Sequence, residues 1–207
     1  EPPKVTKLAQ LRDPGGKPQS ITSRPELGLI EGFPVVFVGT GRYLGTDDLV
    51  DPASLAPPNQ WAYQQSFYAI KDKGDGSTYA NFRAANVVEN KIISSGPVSR
   101  TTSAKVDFSW ADKDGWFVDF NPSNESPGER VNLDPQLVQG TIIVVTNVPN
   151  NSACTVGGDS WIYQFDYKSG TYVPSAALNQ AGQKFTGQIT VGLVVVRLPS
   201  GVFKGIA

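Results

Sequence analysis

"DPQLVQGTIIVVTNVPNNSACTVGGDSWIYQFDYKSG", Asp134 to Gly170, holds two apolar runs, a loop of small residues between them, and a closing Asp-Tyr-Lys-Ser-Gly. The same parts occur earlier in the same order. "RPELGLIEGFPVVFVGT" (Arg24 to Thr40) matches "DPQLVQGTIIVVT" (Asp134 to Thr146): Pro, one residue, Leu, a short spacer with Gly, then a strand-length apolar run. "QSFYAIKDKGDG" (Gln65 to Gly76) matches "DSWIYQFDYKSG" (Asp159 to Gly170): Ser, two aromatics in an alternating strand, Asp, Lys and a closing Gly. A unit that recurs this way is one that cannot hide its faces alone and needs a neighbouring copy to cover them.

The fold expected from this repeat is all-β: part of a modified β-propeller with four-stranded blades and long loop insertions. The parts Gly32 and Gly140 lie 108 residues apart, and Ser66 and Ser160 lie 94 apart. That is roughly twice the 40 to 50 residues of an ordinary blade. "SSGPVSRTTSAKVDFSWADKDGWFVDF" (Ser94 to Phe120) is therefore expected to supply an intermediate blade. The blade-like units read as 24–76, 94–120 and 134–170, with a final strand region at 187–207, all within one domain, 1–207. Strands are expected over "GFPVVFVGT", "QSFYAI", "GWFVDF", "GTIIVVT" and "SWIYQFDY", and one long or two short strands over "GQITVGLVVVRL". "STYANFRAANVV" (Ser77 to Val88) is the best short-helix candidate.

Composition agrees and excludes several functions. Among 207 residues, 21 are Gly and 16 Pro, a turn-rich load unsuited to a helix bundle. Basic and acidic residues nearly balance, 18 against 19, with no basic stripe, so nucleic acid is not an expected partner. No His is present, which removes a Ser-His-Asp triad, a Cys-His dyad and any His-ligated zinc site from this segment. The one cysteine, Cys154, has small polar neighbours and no adjacent cation, so it reads as a buried, inert thiol. No run of 18 apolar residues spans a membrane. The chain has no Met and no signal-peptide pattern, and is expected to be a piece of a longer protein.

Candidate sites are few. "ADKDG" (Ala111 to Gly115) offers Asp112 and Asp114 to a calcium ion, with Asp119 as a third carboxylate. Trp116 occupies the place where a loop site wants an oxygen ligand, so a polar turn is the favoured reading there and at Asp72/Asp75 in "DKGDG". "GTGRYLG" (Gly39 to Gly45) resembles a phosphate loop but lacks the following helix and the Lys-Ser/Thr. It reads instead as a tight blade-edge turn presenting Arg42 and Tyr43, with Asp47 or Asp48 as a partner for Arg42. Trp116 and Trp161 are expected in the core. Trp110 and Tyr63 compete between surface and packing, and Trp61, after Pro57-Pro58, is the best exposed contact.

"GTGRYLG", "QSFY" and the stretch from Gly128-Glu129-Arg130 to Gly158, in this order, resemble the C-terminal domain of the PilY/PilC-type, type IV pilus tip-associated proteins, over about Lys17 to Lys204. The resemblance implies an exported, non-enzymatic module acting in pilus biogenesis and extension and in attachment to host or abiotic surfaces. It implies residence at the outer membrane, cell surface or pilus tip. Its implied partners are minor pilins and the rest of its own propeller. That family's calcium loop is an upstream Asp/Asn-rich segment with no clear counterpart here, so cofactors are expected in the parent rather than in this segment. The alternative is a fragment of a quinone (PQQ)-dependent dehydrogenase propeller. The single cysteine and the lack of a tryptophan-docking motif in each blade oppose it.

Overall fold

The structure is a computed structural model that describes residues 5–49, 64–150, 157–174, 179–197, 199–200 and 203–206. Trp61, Tyr63 and Cys154 lie outside the described residues. The described elements are thirteen β-strands and a few short 3-10 turns, with no α-helix among the described residues. The two matched sequences form two antiparallel four-stranded units. The first consists of β1 (Glu26–Ile30), β2 (Phe33–Gly39), β3 (Ser66–Lys71) and, after an excursion, β6 (Gly115–Asp119). The second consists of β8 (Gln136–Val138), β9 (Thr141–Pro149), β10 (Gly158–Asp166) and β11 (Gly182–Phe185).

The repeat has a local cause in each part. Glu31-Gly32 and Gln139-Gly140 are both two-residue hairpin loops, with φ of 52° and 86°, and 47° and 79°. A tight turn with both central residues left-handed matches the twist of its strands, and it selects Gly second. The shared Asp after the aromatic strand closes a turn in both units. Asp72 Oδ1 accepts from the Gly74 N–H at 2.8 Å, and Asp166 Oδ1 accepts from the Ser169 N–H at 2.8 Å.

The segment 94–120 forms no sheet of its own. A hairpin, β4 (Val87–Gly96) and β5 (Ser99–Thr102), is inserted between the third and fourth strands of the first unit. The first half of β4 pairs in parallel with β6, and β5 pairs with β11. One insertion thus stitches the two units into a continuous eleven-stranded sheet and accounts for the doubled spacing. β7 (Arg130–Val131) pairs with β9 and also donates the Val131 N–H to the Thr40 carbonyl at 3.0 Å, linking the units a second time. β12 (Val194–Arg197) and β13 (Phe203–Ile206) make a separate hairpin; no strand forms over 187–193.

The helix expected over Ser77–Val88 is replaced by a 3-10 turn, Phe82–Ala84, and the start of β4. Asn81 caps that turn at the Arg83 N–H, and the β-branched pair Val87-Val88 is drawn into the sheet, where it pairs with β6.

β3 and β6 of the first unit are buried on both faces, which is why they read as nearly continuous apolar runs, whereas β1 at the edge leaves Leu27 and Leu29 exposed. Phe37, Phe67, Trp116 and Val118 point to one side, against Ile142, Val144, Tyr163 and Phe165 of the second unit. Val38, Tyr68, Ile70 and Phe117 point to the other, under Leu11, Tyr79 and Phe82.

Candidate functional site

The carboxylates considered for calcium are not brought together. Asp114 precedes β6 and Asp119 ends it, five residues apart in an extended strand and so separated by roughly 17 Å. Asp114 accepts from the Tyr79 hydroxyl at 3.1 Å and pairs with Lys73 Nζ at 3.1 Å. Asp119 pairs with Arg83 through both carboxylate oxygens and accepts from Ser66 Oγ at 2.6 Å. Asp112 is exposed. Among the described residues no group of three or more His, Cys, Asp or Glu is arranged to hold a metal ion. Asp72 and Asp75 form side-chain-capped turns, each accepting a backbone N–H two residues on at 2.8 Å.

"GTGRYLG" is a clasp between the units. A Cβ on Gly41 would lie 2.5 Å from the Val131 carbonyl oxygen and 2.8 Å from the Arg130 Cβ, so only Gly lets β7 approach so closely. Arg42 and Tyr43 are half-buried. Arg42 Nε donates to the buried Asp48 carboxylate, whose other oxygen accepts the Leu44 N–H at 2.8 Å and the Gly45 N–H at 3.2 Å. Arg130 Nη1 donates to the Arg42 carbonyl at 2.9 Å and to that of Asp48. Burial alone pushes the Asp48 carboxyl up, but the Leu44, Arg42 and Gly45 donors outweigh it and hold it below the usual aspartate value.

A carboxyl depressed in the folded state adds stability above the unfolded-state value, about 4, and loses it as pH falls through the lower folded value. Asp48→Asn is therefore expected to be less stable than the parent chain near neutrality and to lose less on acidification. Thermal midpoints compared at about pH 6 and about pH 3 check this; equal acid losses in both proteins would contradict it.

The densest polar cluster is one that no sequence pattern marks. Arg100 of β5, Glu129, Ser126, Thr146 of β9 and Tyr163 of β10 meet at the join of the two units, and all are buried. Arg100 Nη1 donates to Glu129 Oε2 at 2.8 Å and to the Tyr163 oxygen, and Nη2 donates to Ser126 Oγ at 2.9 Å. Glu129 also accepts from Tyr163 at 2.8 Å, Thr146 at 2.6 Å, the Asn121 N–H at 3.3 Å and Ser126. The guanidinium lies 3.8 Å from the centre of the Trp161 ring. Burial opposes the Arg100 charge, but the Glu129 carboxylate and the hydrogen bonds to it and to the Tyr163 oxygen more than restore it, and its pKa ends above the ordinary value. Burial, seconded by the Glu129 charge, raises Tyr163 well above an ordinary tyrosine and keeps it a neutral donor.

Trp161, Trp116 and Trp110 are all buried, so packing takes all three. The sequence named Glu129 only within a matched stretch, and Arg100 not at all. An Arg on a short strand and a Glu in a turn acquire meaning only through a contact 29 residues apart in the chain.

No protein-family model matches this sequence. A curated relative, the "Type IV pilus biogenesis factor PilY1 homolog" of Xylella fastidiosa (strain Temecula1), is 30% identical over 198 residues, 89% of this chain and 13% of that protein. The crystal structure of the Pseudomonas aeruginosa PilY1 C-terminal domain superposes with a TM-score of 0.73 at 18% identity, over 97% of this chain and 46% of that one. The chain thus spans well under two thirds of either. The sequence match over 89% of the chain and the superposition over 97% of it show that this chain resembles PilY1 and has the β-propeller-like fold of that protein's C-terminal domain.

Proposed function

We infer that this chain is a non-enzymatic module of an exported, type IV pilus-associated protein, acting in pilus biogenesis and in attachment. The observation that carries the reading is its relation over 89% of its length to a protein named for pilus biogenesis. The absence of His from the sequence supports a binding rather than a catalytic role. In this reading its partners are minor pilins, the remainder of its own propeller, and a host or abiotic surface. Trp61, Arg42 and Tyr43 are the contact residues, and calcium binds the parent through a loop upstream of this chain. No described helix is long and apolar enough to cross a membrane.

The test is to replace this segment within the full-length parent by a flexible linker. Loss of surface pili, with the parent still exported and at normal abundance, is the expected result. Normal piliation and normal attachment would sink the reading. Reconstitution of the intact parent with pyrroloquinoline quinone and calcium should give no stoichiometric quinone absorbance; such a signal would favour the dehydrogenase alternative.

A further inference from the structure

The first hairpins of the two units share one register, so their residues correspond. Leu29 lies three residues before Gly32 and pairs with Pro34; Leu137 lies three residues before Gly140 and pairs with Ile142. Leu29, Pro34 and Val36 are therefore the counterparts of Leu137, Ile142 and Val144. In the second unit this surface is closed against the first. Ile142 and Val144 are fully buried, and Leu137 lies over Gly28, where a Cβ would come 3.0 Å from Leu137 Cδ2. In the first unit the same surface is open. Leu27 and Leu29 are 69% and 65% exposed, Pro34 is exposed and Val36 half-buried. Leu11, Tyr79 and Phe82 cover Val38, Tyr68, Ile70 and Phe117 on that face but not the two leucines. β1 is also the edge of the eleven-stranded sheet. Contiguous apolar surface at a sheet edge marks a place where something docks.

The opposite end of the pair of units is finished differently. Gln136, Asn147 and Ser160 share the far face of the second unit, and all three donate to a segment laid across it. The acceptors are the carbonyls of Leu193 at 3.0 Å, Thr190 at 2.9 Å and Gln188 at 2.8 Å. Ile143 and Val145 of the same face are buried. In a stack of repeats the terminal unit carries a cap, and an uncapped unit continues to a neighbour. The pair is thus capped on one side and open on the other. A second copy of this chain has no matching face free: its Gly28 side is taken by its own second unit, and the far face of that unit lies under residues 187–193. The matched span is 46% of the PilY1 C-terminal domain chain, so such domains hold sequence for further units.

We propose that the Leu27–Leu29 face of β1 and β2 receives a further sheet unit of the same polypeptide, whose surface leaves room for Leu29 as Gly28 does for Leu137. This assignment rests on the reading of the chain as part of a longer propeller. The test is hydroxyl-radical footprinting, read by mass spectrometry, on this chain and on the purified full-length parent. Leu27 and Leu29 are expected to oxidise about tenfold more slowly in the parent, at the rate of Leu11, which is 5% exposed. Leu27→Ser/Leu29→Ser should leave the thermal midpoint of this chain unmoved, because both side chains are exposed in it. The same change should shorten the half-life of the parent under protease. Equal oxidation of the two leucines in chain and parent overturns the proposal. Protection in this chain alone, with the mass of a dimer, gives the face to a second copy and also overturns it. So does protection of the parent only after another protein is added. The readout is burial rather than piliation, so a failed pilus role and a failed docking face give different results.

Discussion

Glu129→Ala is expected to cost about 3–5 kcal/mol of folding stability, the range seen when one partner of a buried ion pair is deleted. The mechanism is specific. Arg100 is 1% exposed and would keep its charge without its paired carboxylate. The hydroxyls of Thr146, Tyr163 and Ser126 would lose their shared acceptor in the same step. Glu129→Gln keeps one acceptor oxygen and removes the charge, so it should fall between Ala and the parent chain. The double variant Arg100→Met/Glu129→Met should be more stable than Glu129→Ala, because no buried charge is left uncompensated. Urea denaturation midpoints measure all three. A Glu129→Ala midpoint within error of the parent would show that the cluster does not hold the two units together.

Trp116→Ala should be of similar size, about 3–5 kcal/mol, through the cavity it leaves. Trp116 is fully buried on β6, with its ring against Phe37 and Phe67 of the first unit and Phe165 of the second, at 6.3, 6.0 and 6.3 Å between centroids. Its indole N–H donates across the join to the Tyr167 carbonyl at 3.1 Å. Loss of the ring removes packing from both units at once, so unfolding should remain a single transition that moves as a whole. Trp116→Phe retains most of the buried area and should cost clearly less. Thermal unfolding followed by near-ultraviolet circular dichroism separates the cases. If Trp116→Ala melts one unit and leaves the other folded, the shared core is not the source of stability.

Both results depend on a join that the repeat predicts in kind but not in place. The repeat required that one sheet unit be covered by another, and the core between Phe67 and Phe165 is that cover. It did not reveal that Arg100, from an inserted hairpin, would become the polar centre of the join. Nor did it reveal that Gly39-Thr40-Gly41, read as a blade-edge turn, would carry β7 across to the first unit. The calcium reading of Asp112, Asp114 and Asp119 counted carboxylates along the chain. An extended strand then set two of them at opposite ends, and each found a cation, Lys73 for Asp114 and Arg83 for Asp119.

Local chemistry was readable from the amino-acid order. Hairpins with Gly second, strands with alternating aromatics, and Asp-closed turns are decided within a few residues by sterics and nearby hydrogen bonds, so the order of residues determines them directly. The path between the third and fourth strands of the first unit and the meeting of Arg100 with Glu129 and Tyr163 are set by contacts between residues 28 to 84 positions apart. Such contacts exist only once two sheets have curled against each other, because burial is what gives a charge or an N–H its need for a particular partner.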